Sequence, residues 1–367
     1  MFNKLLTHLK KIDWIIFGCI ILLIGFGLAV IYSVALSGGE AGFINFKKQC
    51  VFAVVGIALL FIFSFFDFHA LYGFNKWIYA GGIGSLILVL LFGETVRGTR
   101  AWFEFGGFSL QPSELVKIVV VLALAKYFSA ASYKINQLKH IILTGLIVFL
   151  PIILILWQPD FGSATIIFIF WLAILAIFGL NRKQIIIITF ISLMLFATSF
   201  FFLLKDYQKE RILTFLNPNI SSLEQGYNVA QAIIAIGSGG LFGKGLGFGS
   251  QSQLKFLPES QTDFIFAVIG EELGLLGVIF LTTFFAVLFF RMLYWVRHLN
   301  NNFGLYIILG AIILFFVQMF INIGMNIGIL PVVGIPLPFV SYGGSSLIAS
   351  LVLVGIAESV IIHTRHN

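Results

Sequence analysis

Apolar residues along this chain come in unbroken runs of about 17–25 residues, separated by short polar stretches and without the strict alternation of a strand. Ten runs stand out, near Asp13–Ser33, Lys48–Phe68, Trp77–Gly93, Ser113–Phe128, Lys139–Trp157, Gly162–Leu180, Gln184–Leu204, Asp263–Trp295, Phe303–Met325 and Ser341–Thr364. As helices they satisfy every backbone polar group within the segment, which hydrocarbon demands of anything that crosses it. Asp263–Trp295 is too long for one perpendicular crossing, so it should tilt or project from the membrane. Met1–Lys11, ahead of a long apolar run, reads as the lead-in to a first-span anchor and not as a cleavable signal peptide. The expected fold is an all-α polytopic membrane protein of about ten transmembrane helices, one membrane domain over residues 1–367.

Composition agrees with this pattern. Hydrophobic residues make up 60% of the 367 positions and charged residues 10%, against about 25% charged in a soluble domain. The net charge of +7 is explained by topology. With a cytoplasmic N-terminus, the inner ends collect Lys4, Lys10, Lys11, Lys76, Lys126, Lys134, Lys139, Arg182, Lys183, Arg291, Arg297 and Arg365. The short outer loops hold Lys47, Lys48, Arg97 and Arg100, with Lys117 at a span entrance, which is the bias of a positive-inside protein. An even number of spans returns the C-terminus to the cytoplasm, and nothing in the charge asks for nucleic acid. Cys19 and Cys50 form no CxxC pair and read as packing residues. No internal or inverted repeat is evident, which disfavours an alternating-access carrier.

Only fifteen acidic residues exist. In this topology Glu114, Asp160 and Asp263 all fall at outer span ends, together with the long segment Lys205–Thr262 and the proline-rich turn Asn326–Tyr342. In Gln111–Lys117, Glu114 and Lys117 stand i,i+3 and share a helix face. They can hold the fold as an ion pair, or Lys117 can face an anionic ligand. Asp160, in the turn Gln158–Ser163, can cap the next helix or present a carboxylate at the mouth of a cavity. A segment as long as Lys205–Thr262 is expected to be functional. Within it Tyr227–Ile236 has helical period but is too short to span, so it should be re-entrant or interfacial. Seven glycines follow in Gly237–Gly249 around Lys244, a composition that suits an anion nest or a hinge equally. Thr262 is placed to cap the next span, with Asp263 in its first turn and Glu271 and Glu272 two turns deeper.

Four stretches, in this order, are similar to one family: QPSELVK at Gln111–Lys117, QPDFGSA at Gln158–Ala164, Gly226–Gly274, and NIGMNIGILPVVGIPLPFVSYGGSS at Asn322–Ser346. They resemble the SEDS family of shape, elongation, division and sporulation proteins over essentially the whole chain, and GIPLPF is closer to its elongation branch. The resemblance implies a peptidoglycan glycosyltransferase that polymerises lipid II into β-1,4-linked glycan at the outer face of the cytoplasmic membrane. It also implies a class B penicillin-binding protein as partner. Asp263 occupies the family's catalytic position, and Glu114, Lys117 and Asp160 occupy positions important to it. Gln261 stands where many members have His, and Ala232 where many have Ser.

The chemistry suits these residue types. An acceptor hydroxyl must lose a proton as it attacks the anomeric carbon, and a carboxylate can take it. The departing pyrophosphate needs Lys117, Arg211, Lys244 or Lys255, or a divalent cation such as Mg2+ or Mn2+. No organic cofactor is expected. A lipid-precursor flippase and a non-catalytic scaffold for the transpeptidase are the rival readings.

Overall fold

The structure, a computed structural model, describes residues 10–37, 39–96, 98–106, 108–130, 138–177, 183–184, 186–187, 190 and 225–364. Most of the predicted span Gln184–Leu204, the charged run after it and Arg211 lie outside the described residues.

The nine other predicted spans are helices. They are α1 (Trp14–Leu36), α2 (Gly39–Phe65), α3 (Phe68–Phe92), α4 (Pro112–Ala130), α5 (Leu138–Trp157), α6 (Phe161–Ile177), α9 (Ile265–His298), α10 (Asn302–Asn326) and α11 (Gly344–Thr364), with α7 (Gln225–Gly239) and the single turn α8 (Ser250–Gln253) before α9. Seven are long and apolar enough to cross a membrane. α4, with its charges, and the shorter α6 pack among them. The chain is a multi-pass membrane protein. Its core is a continuous apolar cluster in which α4, α10 and α11 are mostly buried, while α2 and α3 turn many apolar side chains outward, as lipid-facing helices do.

Between α3 and α4 lies a three-stranded antiparallel sheet that the apolar pattern did not reveal: β1 (Glu94–Val96), β2 (Thr99–Phe105) and β3 (Phe108–Leu110), in the order β1-β2-β3. Phe105 pairs with Phe108 across a turn that begins at Gly106, whose φ of +55° favours glycine. Arg100 donates to Leu91 O and Gly93 O, covering carbonyls that the end of α3 leaves unpaired. The sheet thereby stands on the same end of the bundle as the start of α4.

α9 is where the overlong run resolves. It breaks at Gly274 (φ +64°, ψ −159°), so that Ile265–Leu273 stays within the protein and the remainder crosses. The glycine-rich segment is spliced into that break: Lys244 N donates to Glu271 O, Gly245 N to Glu272 O, Leu275 N to Gly240 O and Leu276 N to Leu241 O. A Cβ on Gly239 would lie 1.9 Å from Gly270 O, and one on Gly243 2.2 Å from Glu272 O, so only glycine permits the approach. Gly247 N is also used, donating to Ser33 Oγ. The amides an anion nest would need at Lys244, Gly245 and Gly247 are therefore committed to the fold.

Thr262 does not cap α9. The helix begins at Ile265, and Thr262 Oγ1 instead donates to Glu259 within a turn. The capping acceptor comes from elsewhere: Asn326 Oδ1, at the end of α10, receives Ala267 N–H. At the opposite end of the bundle Asp13 caps α1 and accepts from Arg291 Nε (2.7 Å) and Trp295 Nε1 (2.6 Å) of α9, tying the first span to the last turns of the broken one.

Candidate active site

Five segments meet at one end of the bundle: the sheet, the starts of α4 and α6, the turn before α9, and the turn before α11. Their junctions are polar. Gln111 N donates to Ser345 Oγ, which donates to Ser109 O, so α11 is fastened to β3. Asp160 Oδ1 accepts from Ser163 N as the N-cap of α6, while Oδ2 accepts from Gln111 Nε2 (2.8 Å) and Ser113 Oγ (3.1 Å). One half-buried carboxylate thus joins α6 to the start of α4.

Asp263 sits across the turn from it. Gly162 packs against Val333 O and Gly334 O, and on the other side of the same turn Gly334 lies beside Asp263 Oδ2, 3.5 Å from where its Cβ would be. The backbone carrying Asp263 is held residue by residue. Asp263 O accepts from Asn322 Nδ2 (3.0 Å) and Asn326 Nδ2 (2.9 Å). Asn322 Nδ2 also donates to Ile335 O (2.7 Å), which fixes the facing turn to the same helix. Thr262 O accepts from Ser341 Oγ, and Gln261 O from Tyr342 N. Gln261, where many SEDS members have His, takes Asn45 Nδ2 on its side-chain oxygen. Gln49 of α2 donates to Ser341 O and accepts from Gly343 N. The Asp263 carboxylate is partly exposed at this junction, on a backbone with little freedom to move.

The other predicted residues are distributed unevenly. Glu114 faces α10 and α11. Lys117 Nζ lies 2.7 Å from Glu114 Oε2, and both side chains are almost fully buried. They border a small, partly open void of about 10 Å³ that Gln318 and Ser350 also line. That is room for about one water molecule and not for a sugar or a pyrophosphate. Burial of this pair is tolerable because the two charges meet directly.

Lys244 reaches Glu271 (3.0 Å) and Ser250 Oγ (2.8 Å). Glu271 further accepts from Gln251 N and Ser252 N, while Glu272 accepts from the hydroxyls of Ser33 and Ser252 and from Gln253 Nε2. The two glutamates act as a clasp on α8. Lys255 is exposed in the turn that leads to Glu259 and Asp263. Ala232, the other departure from the family pattern, is fully buried on α7.

Among the described residues no three His, Cys, Asp or Glu side chains converge to hold a metal ion. The Asp160 oxygens are already taken by three hydrogen-bond donors, Ser163 N, Gln111 Nε2 and Ser113 Oγ. This donor set does not fit a divalent ion between the two aspartates. Residues that the sequence did not single out are Asn322, Asn326, Asn45 and Gln49. Asn322 and Asn326 carried a readable signal, two amides at i,i+4 in an otherwise apolar span.

With this arrangement in view, likeness to known proteins is informative. Residues 13–366 match the FtsW/RodA/SpoVE family, described as cell cycle proteins. The chain is 36% identical over 329 residues to the peptidoglycan glycosyltransferase MrdB of Escherichia coli (strain K12), covering 90% of this chain and 88% of that one. It is 34% identical over 355 residues to stage V sporulation protein E of Bacillus subtilis (strain 168), covering 94% and 96%. It superposes with a TM-score of 0.80 on a chain from a peptidoglycan synthase complex that coordinates polymerization and crosslinking, at 28% identity over 97% and 98% of the two chains. The rod shape determining protein RodA of Thermus thermophilus gives a TM-score of 0.71 at 26% identity over 97% and 98%. The chain belongs to the FtsW/RodA/SpoVE family.

Proposed function

We propose that this protein is a peptidoglycan glycosyltransferase that polymerises lipid II, with Asp263 as general base. The observation that carries the assignment is the support of Asp263. Two buried asparagine amides hold its carbonyl, and its neighbours are pinned to α2 and to the turn before α11. Such support keeps a reacting group within the small tolerance that proton transfer needs.

In the reaction the acceptor sugar hydroxyl gives its proton to the Asp263 carboxylate while its oxygen bonds to the donor's anomeric carbon. The bond from that carbon to the pyrophosphate oxygen breaks, and undecaprenyl pyrophosphate leaves with the electron pair. Attack opposite an α-linked leaving group inverts the centre and gives the β-1,4 linkage. Lys255, exposed in the turn that leads to Asp263, is our choice for the group that takes the pyrophosphate charge. Asp160 organises the junction of α4 and α6, and the Glu114–Lys117 pair holds α4 against α10 and α11.

The basic residues at the far end of the bundle, Lys10, Lys11, Lys76, Lys126, Lys139, Arg291 and Arg297, support a cytoplasmic assignment for that end. The Asp263 end then faces outward from the cytoplasmic membrane, where a class B penicillin-binding protein can take the nascent strand. Fluorescent lipid II supplied to reconstituted protein tests the reading. Glycan strands on a gel support it, whereas lipid II moved across the bilayer without polymer would replace it with the flippase.

A further inference from the structure

The end of the bundle opposite Asp263 has an open cleft of about 560 Å³ between α3, α4 and α5, a size usual for a small-molecule site. Three lysines border it, one from each helix: Lys76, Lys126 and Lys139. Among the described residues no acidic side chain lines it. The wall is braced by its own contacts. Lys126 Nζ donates to Tyr72 O (2.7 Å), Tyr127 hydroxyl meets His140 Nδ1 (2.7 Å), and Tyr79 hydroxyl donates to Ile147 O (2.8 Å). Lys76 and Lys139 are exposed at the rim.

A second observation is independent of the charges. Asn75 lines the cleft and is only 6% exposed, yet its Nδ2 has no hydrogen-bond partner among the described residues. A buried donor left unmade is costly, and a bound anion would satisfy it.

The surroundings select the kind of anion. Ala123, Leu143 and Ile147 give the cleft an apolar side. Beside it α5 exposes Ile142, Leu146, Leu150 and Ile153, a lipid-facing stripe running from the lysines toward the middle of the span. We propose that this cleft binds the phosphate headgroup of an anionic phospholipid, with Lys76, Lys126, Lys139 and Asn75 Nδ2 on the phosphate and an acyl chain along α5. Basic pockets between transmembrane helices suit such headgroups. The proposal does not depend on the role of Asp263.

Native mass spectrometry of the purified full-length protein, titrated with dioleoyl phosphatidylglycerol and dioleoyl phosphatidylcholine, tests it. The wild type should retain the anionic phosphatidylglycerol preferentially. Each lysine is worth about fivefold in affinity, so Lys76→Gln/Lys139→Gln should weaken phosphatidylglycerol binding roughly 25-fold. Both side chains are exposed, so folding should be unaffected. Asn75→Leu fills the same space without the lone donor, and should also weaken binding. Lys10→Gln/Arg297→Gln, charges outside the cleft, should leave binding within about twofold of wild type. Equal losses in the two double variants would mean diffuse surface attraction and overturn the proposal. So would unchanged binding in the cleft variant, or complete displacement of the lipid by millimolar inorganic phosphate.

Discussion

Replacing Asn326 with leucine removes a side chain of similar size from the point where α10 meets the start of α9. Asn326 is fully buried, so leucine leaves little void and the effect is confined to hydrogen bonds. Nδ2 loses Asn322 O (2.8 Å) on its own helix, and across to the start of α9 Oδ1 loses Ala267 N–H (3.1 Å) while Nδ2 loses Asp263 O (2.9 Å). Neither partner at the start of α9 is orphaned, because Ala267 N–H keeps Phe264 O and Asp263 O keeps Asn322. At about 1 kcal/mol for each of the three bonds the stability cost is about 3 kcal/mol, short of unfolding a membrane bundle of this size. The rate of the folded protein should fall as well, since Asp263 would be held by one amide instead of two. A displacement near 1 Å costs about 100-fold in a positioned reaction. The expected result is therefore a folded, monodisperse Asn326→Leu protein whose polymerisation rate falls by about 10- to 100-fold. A wild-type rate from that protein would show that the amide does not position the aspartate, and the reasoning from backbone support would be refuted.

Other consequences follow from the same contacts. Glu271→Gln puts an amide donor where Lys244, Ser250 and two backbone N–H groups converge, so α8 should lift from α9 and trypsin should cut after Lys244 more than about tenfold faster; unchanged cleavage would contradict the clasp. Gly274→Ala would hold alanine at φ +64° with its Cβ 2.3 Å from Gly243 N, and should cost more than about 2 kcal/mol in thermal stability. Gly18→Ala, where a Cβ meets nothing, should be neutral or stabilising by up to about 1 kcal/mol. Asp67, at the loop between α2 and α3, is partly desolvated, which raises its pKa, but hydrogen bonds from His69 outweigh this and hold the carboxyl below its ordinary value. Its contribution to stability is present above the unfolded carboxylate pKa of about 3.9 and is lost as pH falls through the lower folded value. Asp67→Asn should therefore narrow its stability deficit relative to wild type as pH falls below about 4, and a deficit constant with pH would argue against the assignment.

What was legible in the sequence is what depends on solvent. A helix in lipid needs a run of apolar residues, so spans such as Lys139–Trp157 and Phe303–Met325 could be placed to within a few positions. The excess length of Asp263–Trp295 also showed, although its resolution into a break at Gly274 did not, because a positive-φ glycine looks like any other glycine in a span. The sheet at Glu94–Leu110 was missed because β1 and β3 are three residues each, too short for alternation to register. The paired Gly106 and Gly107 were its one local sign.

At the site, local rules misplaced what tertiary contacts decide. Thr262 has the right residue type for an N-cap, but Asn326, distant in sequence, supplies the acceptor. Glu271 and Glu272 drew attention as acids in a span, yet their oxygens bind the loop that returns to α9. Asp160 combines both readings of its residue type, capping α6 while joining it to α4.

The central claim is that Asp263 takes the proton of the attacking hydroxyl. Polymerisation of lipid II by purified Asp263→Asn, set beside wild type at equal folded concentration, tests it most directly. Asparagine keeps the shape and the backbone contacts of Asp263 O but cannot accept the proton. The account predicts a loss of about 100- to 10,000-fold in rate with lipid II binding retained. Glycan strands formed by the asparagine variant at the wild-type rate would contradict it.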